Sequence, residues 1–170
     1  MNVFWLHENT SKCAEMHCDR HIERCVYDYA RIVSTAADMG GFYDRRYMYE
    51  PLETMGLEIA RWAAHTTDNF CRMLSLAKDV GKEYEYRFGK EHKSHIQCLS
   101  NIDVSEVEIH RSGFETPPVN IPDGFTTADG YVQQYRDYYN HGMTWNMSWF
   151  NRDKPDWYYK EVTEHGISDE

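Results

Sequence analysis

The chain has 170 residues, of which 41% are hydrophobic and 27% charged; this length and balance exclude a disordered polymer and suit one domain with a sizeable core. The net charge of −10 argues against a duplex-DNA binder with a broad basic face, although residues 1–100 are nearly neutral and can still form a basic patch. The five cysteines include no CxxC pair, and no apolar run suits a signal peptide or approaches the roughly 20 residues of a membrane span, so we expect a cytoplasmic protein without membrane contact.

The first predicted element is a long amphipathic helix. Residues 9–11, NTS, offer an N-cap, and the helix should run to about Ala37 and end near the glycine pair at 40–41. At the helical period its apolar face carries Ala14, Cys18, Ile22, Cys25, Val26, Tyr29, Ile32 and Val33. Its polar side carries His17, Arg20, His21, Arg24, Asp28 and Arg31.

Further helices are predicted downstream. The second spans about 57–80 and can continue to a stop at Gly89, a short helix follows within 91–99, and another lies at about 128–141. Residues 101–127 contain three prolines and two glycines, which break periodicity. There is no strand alternation and no internal repeat. The prediction is a single compact all-α domain over residues 1–170 with a long irregular connection.

The segment HCDRHIER, residues 17–24, is the first candidate site. His17 and His21 have the i, i+4 spacing with which two imidazoles can share a metal ion, but no HExxH motif or third ligand accompanies them. We therefore assign no metal and no other cofactor. Arginine and histidine beside a clean apolar face favour phosphate binding or acid–base chemistry, and a solvated helix surface is the alternative. The predicted catalytic side chains are His17, Asp19, His21 and Glu23, with Arg20 and Arg24 binding phosphate.

A second segment, KEYEYRFGKEHKSH at residues 82–95, interleaves aromatic and basic side chains. This pattern suits ring stacking on bases combined with phosphate pairing. It predicts nucleic-acid contacts by Tyr86, Arg87, Lys90, His92 and Lys93. The alternative is a helix C-terminus whose basic residues complement the helix dipole. Tyr135, in a tyrosine stripe at 131–139, is likewise either a base-stacking side chain or part of the core.

Four segments together resemble a family of uncharacterised phage proteins. They are CDRH at 18–21, EYEYRFGKEHKS at 83–94, YRDYY at 135–139 and WFNRDKPDW at 149–157. The family shows CDKH, EYTYRYGKxHK, YRxYY and W…NR…PxW in the same order. Some of its members carry the name pyrimidine dimer DNA glycosylase, through a distant similarity to the endonuclease V type of enzyme. AEMH at 14–17 and PDWYYK at 155–160 resemble the first-helix and C-terminal segments of that enzyme.

The resemblance implies a small all-α enzyme in which the N-terminal α-amine attacks the sugar carbon and forms an imine. A helix glutamate then acts as acid and base, and arginines hold phosphates and the flipped base. Carried over, these roles fall on His17, Glu23 and Arg24, with Met1 or Asn2 supplying the amine, in the cytoplasm of an infected host cell. The chain differs from that enzyme in its acidic charge and in Asn2, and Glu23 lies one residue closer to His17.

The sequence predicts a phage-type enzyme that acts on DNA or nucleotides, in its most concrete form a glycosylase/lyase for pyrimidine dimers or modified bases. Two alternatives stay open. One is a non-enzymatic acidic phage protein that binds a host or phage protein. The other is a metal-dependent nucleotide phosphohydrolase with His17 and His21 as ligands. Sequence alone leaves open whether the chain is an enzyme at all and what its substrate is.

Overall fold

The computed structural model describes residues 1–42, 44, 46, 48–54, 56–126 and 129–159. Within these residues the fold is all-α and has no strand, which confirms the fold class that the periodicity predicts. The helices are α1 (Thr10–Met16), α2 (Asp19–Met39), α3 (Leu57–His65), α4 (Thr67–Phe88), α5 (Lys93–Gln97) and α6 (Tyr131–Asp137). Short 3-10 turns occur at Leu99–Asn101, Val104–Glu106 and Asp123–Phe125, and a π-helical turn at Tyr138–Gly142 follows α6.

The core forms around α2, which packs against α3 and α4, while α1 packs against α4. The predicted apolar face of α2 is buried. Seven of its members on and just before α2 are each at most 2% exposed: Cys18, Ile22, Cys25, Val26, Tyr29, Ile32 and Val33. Residues 3–6 enter the same core. Burial of each such aliphatic or aromatic side chain stabilises the folded state by on the order of 1.5–3 kcal/mol. The apolar face of α2 is therefore held against the core, and its polar side faces away from it.

The sequence predicts one continuous N-terminal helix, but the structure has two helices, α1 and α2, so this prediction was wrong. His17 and Cys18 adopt extended backbone conformations between α1 and α2, with ψ of 138° and 161°. Arg87 of α4 donates to the carbonyls of Glu15 and His17, both at 2.9 Å. These bonds satisfy carbonyls at the end of α1. The predicted ends are confirmed, with Asn9 accepting from the Lys12 N–H at 3.0 Å and α2 stopping at Met39.

The predicted second helix is also divided. Thr66 is extended and its hydroxyl accepts from the Asn69 N–H at 3.1 Å, which caps α4. The predicted stop at Gly89 is confirmed: this residue has φ of 68°, and its N–H donates to the Glu85 carbonyl. α5 confirms the short helix predicted within 91–99. The helix predicted from about position 128 begins at Tyr131 as α6. Positions 127 and 128 lie outside the described residues. No helix in the described ranges is long and apolar enough to cross a membrane.

Candidate functional site

The helix break separates the members of HCDRHIER into three groups. His17 and Asp19 turn toward the α1–α2 junction, where they contact other parts of the chain. Arg20, His21 and Arg24 line a cleft on one side of α2. Glu23 is exposed and lines neither this cleft nor the one beside it. The structure therefore brings together only part of the predicted site.

His17 is fully buried and uses both ring nitrogens inside the protein. Nδ1 lies 2.7 Å from the Cys13 carbonyl and Nε2 lies 3.0 Å from the Tyr29 hydroxyl. A carbonyl can only accept, so Nδ1 carries the proton and Nε2 accepts from Tyr29. The Tyr29 oxygen in turn accepts from the Phe4 N–H at 2.9 Å. Burial lowers the pKa of His17 to about 4, so the ring is neutral and its contacts favour a structural role.

Asp19 and Arg87 belong to a buried charge cluster at the same junction. Arg87 is 1% exposed, and its guanidinium binds Glu83 at 2.7 Å and Asp19 at 3.0 Å besides the two carbonyls. Glu83 also accepts two hydrogen bonds from Arg152, at 2.9 and 2.8 Å. These partners satisfy most donors of Arg87 within the protein. The contacts support a structural function for this predicted phosphate-binding residue.

The cleft beside α2, which we call the arginine cleft, has a volume of about 240 Å³. The guanidinium of Arg20 lies 4.8 Å from the ring centroid of Trp145, in cation–π contact. The His21 ring stacks on Phe4 with centroids 4.1 Å apart. The cleft thus combines two arginines with aromatic walls, and its lining consists of Met1, Asn2, Phe4, Arg20, His21, Arg24, Cys25, Asp28 and Trp145.

His21 presents a neutral imidazole to the arginine cleft. Burial, with smaller effects of His17, Arg20 and Arg24, lowers its pKa to about 3. Its Nδ1 contacts the Tyr139 hydroxyl at 2.5 Å. When the phenol donates to Nδ1, the ring N–H lies on Nε2. At neutral pH this histidine suits hydrogen-bond donation better than proton abstraction.

Asp28 is a cleft residue that the sequence reasoning did not select. Its side chain is only 12% exposed, and its Oδ2 accepts from Arg24 Nε at 3.3 Å. Among the described residues no hydrogen bond engages its other oxygen, so a ligand in the cleft can use it. The i, i+4 spacing from Arg24 on the polar face was the available indication. Asp28 lies two turns beyond His21, too far along the chain to join the histidine pair as a metal ligand, so the histidine spacing does not indicate it.

A second cleft of about 510 Å³ adjoins the first and shares Met1, Arg24 and Asp28 with it. Arg31 and the segment 50–54 complete its lining. The Met1 side chain lies against Gly56, whose φ is 89°; a Cβ built there would be 2.8 Å from Met1 Sδ. Glycine at this position therefore serves both the left-handed backbone and the close approach of Met1. Residue 1 is held where the two clefts meet.

The other predicted nucleic-acid residues lie outside both clefts. Tyr86, Lys90 and Lys93 are exposed, and His92 is half-buried, caps α5 and contacts the Tyr84 ring. Tyr135 is fully buried in the core, where its ring meets Phe4 at 5.9 Å. Its position agrees with the packing alternative.

Metal binding by the histidine pair finds no support in this geometry. Among the described residues no three His, Cys, Asp or Glu side chains are grouped to hold a metal ion. Both nitrogens of His17 are engaged in internal hydrogen bonds, and Nδ1 of His21 faces Tyr139. A metal ligand needs a free lone pair on a ring nitrogen, which His17 lacks.

Comparisons with protein-family models, with curated proteins and with solved structures found no match to this chain. The resemblance to phage proteins therefore stays a prediction. The fold and the cleft define an all-α protein with an arginine-lined site, and its function is inferred from the chemistry of that site.

Proposed function

We propose that the chain is an enzyme acting on nucleotides or DNA, with the arginine cleft as its active site. The observation that carries the proposal is the meeting of Arg20 and Arg24 with the Asp28 carboxylate and the neutral His21 ring in one cleft. Arginine is the side chain best suited to bind phosphate, through its planar set of N–H donors. Within a chain of net charge −10, such a local basic site favours this proposal over the acidic binding-protein alternative.

Substrate binding in this proposal uses three kinds of contact. Arg24 and Arg20 hold phosphate oxygens at the mouth of the cleft. Trp145, already covered on one side by the Arg20 guanidinium, borders the space for a base or sugar. The N–H on Nε2 of His21 donates to a carbonyl or hydroxyl oxygen of the ligand. The two adjoining clefts, of 240 and 510 Å³, together fall within the size range of small-molecule sites, about 300–1,000 Å³.

The proposed reaction is cleavage of the bond between a base and its sugar. In this proposal the Asp28 carboxylate, which lines the cleft, stabilises positive charge on the sugar carbon and accepts the proton of an attacking water or amine. It takes the role that the resemblance gives to Glu23, because Glu23 does not line the cleft. In the imine form, an α-amine at residue 1 or 2 bonds to the sugar C1′ and loses a proton to Asp28, while the base leaves with the bonding electrons and gains a proton from water. The C1′–O4′ bond then breaks, O4′ takes the proton back from Asp28, and a protonated C1′=N imine remains.

Borohydride trapping tests the proposal. Oligonucleotides that carry a pyrimidine dimer, a modified pyrimidine or an abasic site are incubated with the protein and borohydride, and covalent protein–DNA bands are sought. Base release from the same substrates and from free nucleotides is measured by mass spectrometry, because direct hydrolysis leaves no imine to trap. We expect activity that falls at least about 100-fold in Asp28→Asn, as for loss of an acid–base group.

The matched control is Glu23→Gln, which removes an exposed acid from the same helix. It should retain nearly full activity. A trapped band abolished by Glu23→Gln but not by Asp28→Asn would overturn the assignment of Asp28. Absence of any band, any base release and any nucleotide binding at low salt would reject the proposed function.

A further inference from the structure

We propose that a surface beside the arginine cleft binds single-stranded nucleic acid and holds the nucleotides that flank the one in the cleft. The surface, here called the aromatic shelf, consists of Tyr86, Phe150 and Arg152. This inference rests on the proposed function and names its substrate class: a strand with unpaired bases rather than an isolated nucleotide or an intact duplex.

Two large aromatic side chains are exposed on the shelf. Tyr86 is 55% and Phe150 56% exposed. The Tyr86 hydroxyl donates to the Asn151 carbonyl at 3.3 Å, which places the two aromatic residues close together. The guanidinium of Arg152 lies 4.1 Å from the Tyr86 ring centroid. Single exposed apolar residues are ordinary, whereas two neighbouring rings with an arginine over one of them are typical of base-stacking surfaces.

The shelf is held rigidly by the buried charge cluster beneath it. The backbone N–H of Phe150 donates to both carboxylate oxygens of Asp19, at 2.9 and 3.0 Å. Asp19 is bound in turn by buried Arg87. Arg152 is fixed by its two hydrogen bonds to Glu83. A ligand therefore meets side chains on an ordered backbone, which lowers the entropic cost of binding.

The shelf and the arginine cleft are linked through the start of α2 and the segment 145–152. Asp19, which anchors Phe150, immediately precedes Arg20, and Arg20 covers the Trp145 ring in the cleft. The segment 145–152 thus carries Trp145 at the cleft and Phe150 and Arg152 on the shelf. We expect the bases that neighbour a nucleotide in the cleft to stack on Phe150 and Tyr86. Stacking of a base on an aromatic side chain contributes about 1–3 kcal/mol to the binding free energy and accepts any of the bases.

The low net charge of the shelf favours binding of a single strand over binding of a duplex. Arg152 is neutralised by Glu83 and lies 3.7 Å from Glu15. The shelf therefore offers stacking with little added positive charge. Bases in a duplex are already stacked on each other, and duplex binding depends mainly on many phosphate contacts. Unpaired bases are the part of a nucleic acid that these side chains can bind.

The test compares thymidine monophosphate with a thymidine tetranucleotide by fluorescence anisotropy competition. In the unmodified protein the tetranucleotide should bind at least about tenfold more tightly, as one stacked base provides. In the double variant Tyr86→Ala/Phe150→Ala the ratio of the two affinities should fall at least about tenfold. The control variant Ile96→Ala/Phe114→Ala removes two other exposed apolar side chains, each 47% exposed, and should leave the ratio unchanged.

The outcomes separate the shelf from the proposed function. Monophosphate binding with no added affinity for the tetranucleotide would overturn the shelf and leave the function of the cleft intact. An equal loss of the ratio in the control variant would also overturn it. Failure of both ligands to bind would reject the proposed function and the shelf together. Competition by intact duplex as strong as that by the single strand would contradict the choice of unpaired bases.

Discussion

At the scale of single residues, two histidines four positions apart have different environments. His17 lies in the interior, between the Cys13 carbonyl and the Tyr29 hydroxyl. His21 lines the arginine cleft and stacks on Phe4. Each is neutral because burial disfavours the charged ring. The difference between them is that only His21 borders space for a ligand.

Tyr29→Phe should destabilise the fold. The substitution removes the hydroxyl that joins the Phe4 N–H to His17 Nε2, leaving buried groups without partners, at a cost of about 1–3 kcal/mol. Urea unfolding followed by circular dichroism measures the change in the free energy of unfolding. The control is Tyr27→Phe on the same helix, where the side chain is exposed and the expected change is below about 0.5 kcal/mol. Equal effects would mean that the His17–Tyr29 contact contributes nothing.

Stability should decrease as the pH falls from about 6.5 toward 4. In the folded chain the pKa of His17 is about 4 and that of His21 about 3. Since an unfolded histidine titrates near 6.5, the unfolded state binds protons in this pH range while the folded state does not. Proton binding stabilises the unfolded state relative to the folded one. At pH 5 the free energy of unfolding should be about 2 kcal/mol lower than at neutral pH for each histidine, at 1.36 kcal/mol per pKa unit. Urea midpoints at pH 7, 6 and 5 measure it, and a constant midpoint would contradict buried neutral histidines.

At the scale of the helices, Arg87 on α4 stabilises the break between α1 and α2. The helical pattern runs without interruption from residue 10 to residue 37, and no proline or glycine marks a break there. The break comes instead from a buried guanidinium that binds the Glu15 and His17 carbonyls and the Asp19 carboxylate. An arginine 70 positions away from His17 is not visible in the local pattern.

Arg87→Met should cost about 3–5 kcal/mol, because it leaves Glu83, a buried carboxylate, without one of its partners. Thermal and urea unfolding measure the loss. Lys82→Met is the control on the same helix. Lys82 is 68% exposed and pairs with Asp79, so its removal should cost less than about 1 kcal/mol. Similar losses in the two variants would show that the buried cluster is no more important than a surface pair.

At the scale of the whole molecule, the charge of the arginine cleft differs from that of the chain. The chain carries −10 overall, whereas Arg20 and Arg24 outnumber Asp28 in the arginine cleft. In the second cleft, acidic residues of the segment 50–54 offset Arg24 and Arg31. The acidic excess lies mainly in residues 101–170. Total charge therefore opposes long-range attraction of a polyanion, while the clefts retain local phosphate contacts.

The salt dependence of single-strand binding should accordingly be shallow. Two or three arginine–phosphate contacts give a slope of log affinity against log salt of about −1.4 to −2, at roughly −0.7 per phosphate. Titrations between 50 and 200 mM salt measure it, and Arg24→Met should make the slope shallower by about 0.7. A slope as steep as that of a duplex binder with six or more phosphate contacts would contradict a site confined to the clefts.

Periodicity and capping are local properties, so the helical class, the apolar face of α2 and the stops near Gly40 and Gly89 could be predicted from the sequence. The same pattern predicted Arg20, His21 and Arg24 as site residues. The burial of His17, Arg87 and Tyr135, and the position of Asp28 beside residue 1 in the cleft, could not be predicted in this way. Burial and hydrogen-bond partners depend on contacts between segments far apart in the chain, such as Arg87 with His17 and Tyr139 with His21.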